Sequence, residues 1–325
     1  MDCLIIADME GITGITKESQ FLWKTRDWMR ARRLMTNEVL AIIHGLDQSS
    51  VVEHVVVRDV HDRGFNILPQ MLNAKQFRTI DTVSYIGGQG QTNPVMIGDI
   101  GAVDFAILTG MHARSGSERF EPWAHTFTRA FSRVALNGVE VTEAHLFSSL
   151  LQEWYHVPTA LITGTYRAID EIKDFLQTAK LIANPLIDID LPGSLSATQI
   201  SNHYEFLVEQ ASEAAYQVHY KVLPSKPWNF PMNVELSSKS GELTRRMLHD
   251  WGKSFGISLI SENTMCFGAR SVNEALTGIL TIGLLTPIEK KMLRMASLAR
   301  FSWWIQSKLR EPDNQDLAGP QITPP

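Results

Sequence analysis

Three short runs rich in Val, Ile and Leu, residues 3–8, 53–60 and 104–111, are separated by stretches long enough to hold crossover helices. Strands buried on both faces of a parallel sheet read as such continuous apolar runs, and a parallel connection needs a crossover of a dozen or more residues. The spacing therefore predicts an α/β fold, with a mainly parallel sheet flanked by helices. In that topology the C-terminal ends of the strands share one edge. Open α/β sheets bind ligands in the crevice outside that edge, so the side chains that follow the three runs converge on one place.

Those side chains are chemically of one kind. Asp8 and Glu10 end the first run in IIADMEG, His61 ends the second in VVVRDVHD, His112 ends the third in AILTGMHAR, and Glu143 follows an apolar segment in VEVTEAH. Zinc-type ions accept histidine nitrogen and carboxylate oxygen, and a two-metal hydrolytic site needs about five protein ligands with one carboxylate bridging. Asp8 is the bridging candidate. Asp8 and Glu10, two residues apart, project to the same side while the chain stays extended. Two dications against three carboxylates leave about +1, which one bridging hydroxide neutralises. Each residue also has a plain structural reading: a strand-to-turn exit for Asp8-x-Glu10-Gly11, a solvated ion-pair loop around His61, a half-buried histidine at 112, a first-turn acid for Glu143.

Composition narrows the class. At 325 residues, 44 % hydrophobic and a net charge of −5, the chain can bury one large core or two smaller ones, and it lacks the basic surface that a nucleic-acid binder needs to neutralise phosphates. No segment is long and apolar enough to span a membrane, and MDCLIIADME lacks the positive start and long apolar run of a signal peptide, which predicts a cytosolic chain. Cys3 and Cys266 are too few for a disulfide framework and read as buried free thiols.

Along the chain, strand 3–8 leads through a Gly-Ile-Thr-Gly turn to helical material over 27–46. Segments near 81–88 and 104–111 follow, then a β region over 125–141 with an Asn137-Gly138 turn, helix 142–155 and strand 158–164. Gly87-Gly88-Gln89-Gly90 lacks the lysine of a phosphate loop and reads as a glycine turn. Helices are expected over 169–180 and 196–220, then an α/β unit made of FPMNVELS, helix 240–252, ISLIS, TMCFGA and helix 271–284. The division this suggests is a catalytic metal-binding α/β domain over 1–167, a second smaller α/β subdomain over 168–286, and a C-terminal helical extension with a polar tail over 287–325. In that extension Leu298, Phe301, Ile305 and Leu309 recur at helical spacing, a stripe expected to pack on a neighbouring subunit or on its own chain, with an anionic membrane surface or another protein as the alternatives.

At these residues the chain resembles the D-aminopeptidase family of dizinc metallopeptidases (DppA-type, peptidase family M55). The resemblance is carried by DMEGITG at 8–14, RRLMTNE at 32–38, Asp59 with His61, HARS at 112–115, His125, Asn137 and Glu143, in order and at compatible spacings over about residues 1–285. It implies two Zn2+ per chain, with Asp8 bridging, Glu10 and His112 on one ion, and His61 and Glu143 on the other. It also implies a homo-oligomer and aminopeptidase action on a small peptide or amino-acid amide substrate. His125 matches the family's catalytic histidine, as nucleophile, proton shuttle or oxyanion stabiliser. Its plain alternative is a core histidine beside Trp123. Asp59 is the expected carboxylate behind a ligand imidazole, and Arg114 is expected to hold either a substrate carboxylate or an internal acid. D-stereospecificity rests on the resemblance alone. Thr165-Tyr166 stands where family members carry acidic residues, and the loop from His112 to His125 is longer than the family's. A two-metal phosphoesterase and a non-catalytic peptide-binding scaffold are the other readings of this residue set.

Overall fold

Side chains along the first strand alternate between two packed faces. In the computed structural model, which describes residues 1–88, 97–98, 100–119, 121–176, 178–185, 196–220, 228–284 and 286, β1 (Asp2–Ala7) is followed by α1 (Arg26–Ser49) and β2 (His54–Asp59). Cys3, Ile5 and Ala7 pack with α1, while Leu4 and Ile6 join the cluster on the other face. Both sets are fully buried. Leu4, Ile5 and Ile6 each contribute roughly 1.5–3 kcal/mol, and loss of solvent on both faces explains why the run carries no polar alternation.

The remaining elements are β3 (Thr82–Ile86), β4 (Phe105–Met111), β5 (Phe131–Leu136), β6 (Val139–Glu140), α2 (Glu143–Leu150, extended by a π turn over Leu151–Tyr155) and β7 (Thr159–Gly164). Then come α3 (Tyr166–Ile172), β8 (Lys180–Ala183), α4 (Ala197–Tyr220), β9 (Met232–Ser238), α5 (Gly241–Phe255), β10 (Ser258–Ser261), β11 (Thr264–Ala269) and α6 (Val272–Leu284). Six strands form a parallel sheet in the order β3-β2-β1-β4-β7-β8, and five form a second, antiparallel sheet in the order β10-β11-β9-β5-β6. The parallel order runs outward in both directions from the β1–β4 pair. That pair is the topological switch point, where the crevice of an open α/β sheet lies.

Two sequence expectations are corrected. The helix expected over 169–180 ends at Ile172, and Lys180–Ala183 pairs with β7 as an edge strand. An apolar run as short as KLIA cannot be told from helix by periodicity, and the free edge of β7 decided it. Nor do the sheets divide at residue 167. β8 belongs to the parallel sheet and α4 packs on its α1 face, whereas β5 and β6, from the first half of the chain, complete the antiparallel sheet. The Asn137-Gly138 turn joins β5 to β6 with φ of 50° and 80°, the paired left-handed residues of a type I′ hairpin. His125 lies before β5, in a loop. Cys3 is buried and Cys266 is half-buried, both as free thiols. Among the described residues no helix is long and apolar enough to cross a membrane. Residues 287–325, with the expected helix and its apolar stripe, lie outside the described residues, as do Gln89 and Gly90.

Candidate metal centre

The exit of β1 is tied to both neighbouring strands. Asp8 donates its N–H to Thr109 O (2.9 Å), Gly11 donates to Gly110 O (2.9 Å), and Val60 donates to Ala7 O (3.0 Å). Gly110 makes the close approach feasible, because it has φ of 75° and an added Cβ would stand 2.1 Å from Asp8 O. The residue types just beyond these strand ends are therefore held within reach of one another: Asp8 and Glu10 after β1, His61 after β2, His112 after β4. Glu143 arrives from the other side as the first residue of α2, capped by Thr142, whose hydroxyl accepts from His145 N–H.

All five ligand candidates converge and are buried. Asp8 stands at the centre with its oxygens facing opposite ways, Oδ1 lying 3.2 Å from His61 Nδ1 and Oδ2 3.3 Å from His112 Nε2. Glu10 Oε2 is 2.7 Å from His61 Nδ1, and Glu143 Oε1 is 3.4 Å from His112 Nε2. Two sets of three donors result, Asp8-Glu10-His61 and Asp8-His112-Glu143, and Asp8 belongs to both. A third joins Glu10, His112 and His125. Glu10 and His112 thus do share a set, whereas His61 and Glu143 are each grouped with Asp8 and a nearer partner.

The donors fit zinc. Ligand atoms at 2.0–2.1 Å in a tetrahedron stand about 3.3 Å apart, the spacing seen between His112 Nε2 and its two carboxylate neighbours. Glu10 Oε2 and His112 Nε2 also lack a properly directed hydrogen-bond partner among the described residues, despite lying so close to opposite charge. Buried polar atoms that converge without bonding one another are what a ligand set leaves when its ion is taken away. His112 Nδ1 donates to Ala113 O (2.9 Å), which leaves the Nε2 lone pair for a metal.

Electrostatics of the metal-free cluster follow from burial and crowding. Desolvation, then the Glu10 charge, pushes the Asp8 carboxyl up to about 7. Burial alone would depress His61 and His112, but the charges of Glu10 on the first and Glu143 on the second outweigh it and raise both well above the ordinary imidazole range. For Glu143 burial acts upward, yet the His112 charge dominates and the group is lowered. Metal ligands must be deprotonated to bind. Zinc titrated into metal-free protein is therefore expected to release protons, with apparent affinity falling as pH drops below about 7. Calorimetry in buffers of different ionisation enthalpy measures both quantities, and an affinity unchanged down to about pH 6 would contradict the protonated cluster.

His125 differs from the five ligand candidates. Its side chain is 18 % exposed, against 1 to 8 % for the others, so it is the most accessible of the six. The ring stacks on His112 with centroids 4.3 Å apart, Nδ1 donates to Trp123 O (3.0 Å), and Nε2 stands 3.9 Å from Glu143 Oε1. Burial, then the His112 charge, lowers its pKa, which favours the neutral ring with Nε2 as the proton acceptor.

Asp59 meets a geometry other than the expected one, and Arg114 takes one of its two expected alternatives. Asp59 does not bond the His61 ring: it accepts from Asn66 N–H (2.5 Å), Asn66 Nδ2 (3.1 Å), Ile67 N–H (2.9 Å) and Tyr85 OH (3.2 Å). Asn66 in turn donates to His61 O (2.7 Å) and accepts from Trp28 Nε1 (2.9 Å), so Asp59 fixes the loop that carries His61. Nothing in the sequence singled out Asn66. Arg114 is taken by internal acids, with Nη2 paired to Glu140 and Nε 3.8 Å from Glu171. Thr165, at the position of departure, caps α3 by accepting from Ala168 N–H (3.0 Å), and Tyr166 is exposed.

Fold and site together define a class, an open α/β protein with a buried histidine–carboxylate centre of two overlapping three-donor sets at its switch point. The chain belongs to the D-aminopeptidase family, peptidase family M55, whose sequence pattern matches residues 1–280. Its fold is similar to that of the Zn-dependent D-aminopeptidase DppA from Bacillus subtilis, described as a self-compartmentalizing protease, with a TM-score of 0.73 and 21 % identity over 88 % of this chain and 98 % of that one. No curated protein matches the chain significantly in sequence.

Proposed function

We propose that this chain is a two-zinc aminopeptidase that removes the N-terminal residue from small peptides or amino-acid amides, with preference for the D configuration. The observation that carries the reading is Asp8, whose two oxygens face His61 and His112 separately and so belong to two ligand sets at once. Asp8, Glu10 and His61 would hold one ion, and Asp8, His112 and Glu143 the other. When bound, such a pair polarises a carbonyl and lowers the pKa of a bound water to about 7.

The protein's own groups supply the rest. His125 Nε2 can take a proton from the attacking water and return it to the leaving amine, because Nδ1–H is committed to Trp123 O and burial favours the neutral ring. Glu143 both ligates and places His125, since its Oε1 also accepts from Phe127 N–H (2.7 Å) two residues on. Phe127 has φ of 58°, a left-handed conformation that its surroundings impose. A shuttle needs no covalent intermediate, which favours that role over a nucleophilic one.

The self-compartmentalizing relative supports a homo-oligomer for this chain as well. A phosphoesterase reading loses Arg114 as a phosphate ligand, because that side chain is engaged by Glu140 and Glu171. Matched D- and L-aminoacyl amides, short peptides and a generic phosphate ester, assayed on zinc-loaded protein, test the proposal. Expected is release of free amino acid from D-aminoacyl amides, abolished by chelation and restored by zinc. Turnover of the phosphate ester alone would overturn it, and equal rates on L substrates would remove the stereochemical part.

A further inference from the structure

A carboxylate on α1 serves none of the chemistry above. Glu38 is fully buried and, among the described residues, has no cation within salt-bridge distance. Its charge is instead met by directed donors from four different segments. Oε2 accepts from Thr13 N–H (2.8 Å), and Oε1 accepts from Thr109 Oγ1 (2.7 Å), Thr163 Oγ1 (3.0 Å) and Asn184 Nδ2 (2.9 Å). The donors are themselves linked. Thr109 and Thr163 hydroxyls lie 2.8 Å apart, Gly110 N–H donates to Thr163 Oγ1 (3.3 Å), and Asn184 Nδ2 also donates to Gly11 O (2.8 Å). His203 on α4 contacts Asn184 Oδ1 (2.9 Å) and closes the network.

The positions of these groups tell more than their number. Thr13 and Gly11 belong to the exit of β1 just after Asp8 and Glu10, Thr109 immediately precedes the left-handed Gly110 that turns β4 toward His112, Thr163 is the penultimate residue of β7, and Asn184 follows β8. Simple packing of α1 on this face could be met by leucine or methionine, which would avoid desolvating a carboxylate but would not hold the strand ends in one register. Hydrogen bonds to a buried charge are directional and strong, so they can.

We propose that Glu38 is a positioning residue for the metal centre: by binding the exits of β1, β4 and β7 to one carboxylate, it sets the Asp8–Glu10 side of the ligand set opposite His112. The inference rests on the two-metal reading. In that respect it resembles the outer hydrogen bonds of metal sites, whose removal costs about 10–100-fold in metal affinity or activity, but it acts through backbone position and touches no ligand side chain.

The test uses the full chain loaded with zinc or with cobalt, whose visible spectrum reports coordination geometry. Glu38→Gln keeps the shape but turns one acceptor into a donor, and Ile43→Val, a core change on the same helix, is the control for general loosening. Expected for Glu38→Gln is a zinc affinity weakened about 10–100-fold, an altered cobalt spectrum, and kcat lowered more than KM is raised. Ile43→Val should leave spectrum and affinity as in the wild type. Should Glu38→Gln not fold, Thr109→Val and Thr163→Val each remove one bond to the carboxylate and should shift the spectrum in the same direction. A folded Glu38→Gln protein, or both threonine variants, with wild-type spectrum and affinity would overturn the proposal and leave the two-metal reading standing. A wild-type protein that binds neither metal would overturn both.

Discussion

Asp8→Asn is expected to hold at most one zinc per chain and to lose turnover by more than about 10³-fold. Asp8 is the residue shared by two donor sets, with Oδ1 toward His61 and Oδ2 toward His112. Asparagine keeps the size and the hydrogen bond that Oδ1 receives from Met9 N–H (2.8 Å), so the turn after β1 should survive. It replaces one anionic oxygen with an NH2 group that has no lone pair to offer a metal. Lewis-acid stabilisation is worth several kcal/mol and each 1.36 kcal/mol is a factor of ten, which gives the magnitude. Elemental analysis of wild type and variant, beside thermal unfolding, decides it: an Asp8→Asn protein that keeps two zinc ions per chain would sink the bridging role.

His125→Ala should give the opposite pattern, both metals retained and kcat lowered about 10²–10⁴-fold, the range for loss of a general acid–base. The structure gives two reasons to keep the metals: His125 is the most exposed of the six groups, and its nearest carboxylate atom, Glu143 Oε1, lies 3.9 Å away. One observation points the other way, since His125 also belongs to a three-donor set with Glu10 and His112. Metal content and kinetics measured on one sample separate the roles. Loss of a zinc ion in parallel with activity would make His125 a ligand, and unchanged turnover would return it to the loop's packing beside Trp123.

How much of this was legible without coordinates depends on the range of each interaction. Periodicity and apolar runs are local, and they placed β1, β2, β4, β7 and α1 within a few residues. Parallel topology then required Asp8, Glu10, His61 and His112 to meet at one sheet edge, which they do. The β8 edge strand was missed because its four residues carry no pattern of their own, and the division at 167 did not anticipate that β5 would pair with β9, far along the chain, and bring β6 into the same sheet.

The finer features of the site are all long-range. No spacing tells that Asp8 turns one oxygen to His61 and the other to His112, because this depends on Gly110 bringing its backbone against Asp8 O. The same holds for Asp59, which looked like a partner for the His61 ring but binds Asn66 and Ile67, and for Arg114, which the fold delivers to Glu140 and Glu171. Residue chemistry and strand order determined by themselves which side chains could form a metal centre and on which edge. Which nitrogen, which oxygen and which neighbour each one faces was decided by the tertiary structure, since contacts between residues tens of positions apart leave no periodic trace in a sequence and are set by how the sheet ends pack.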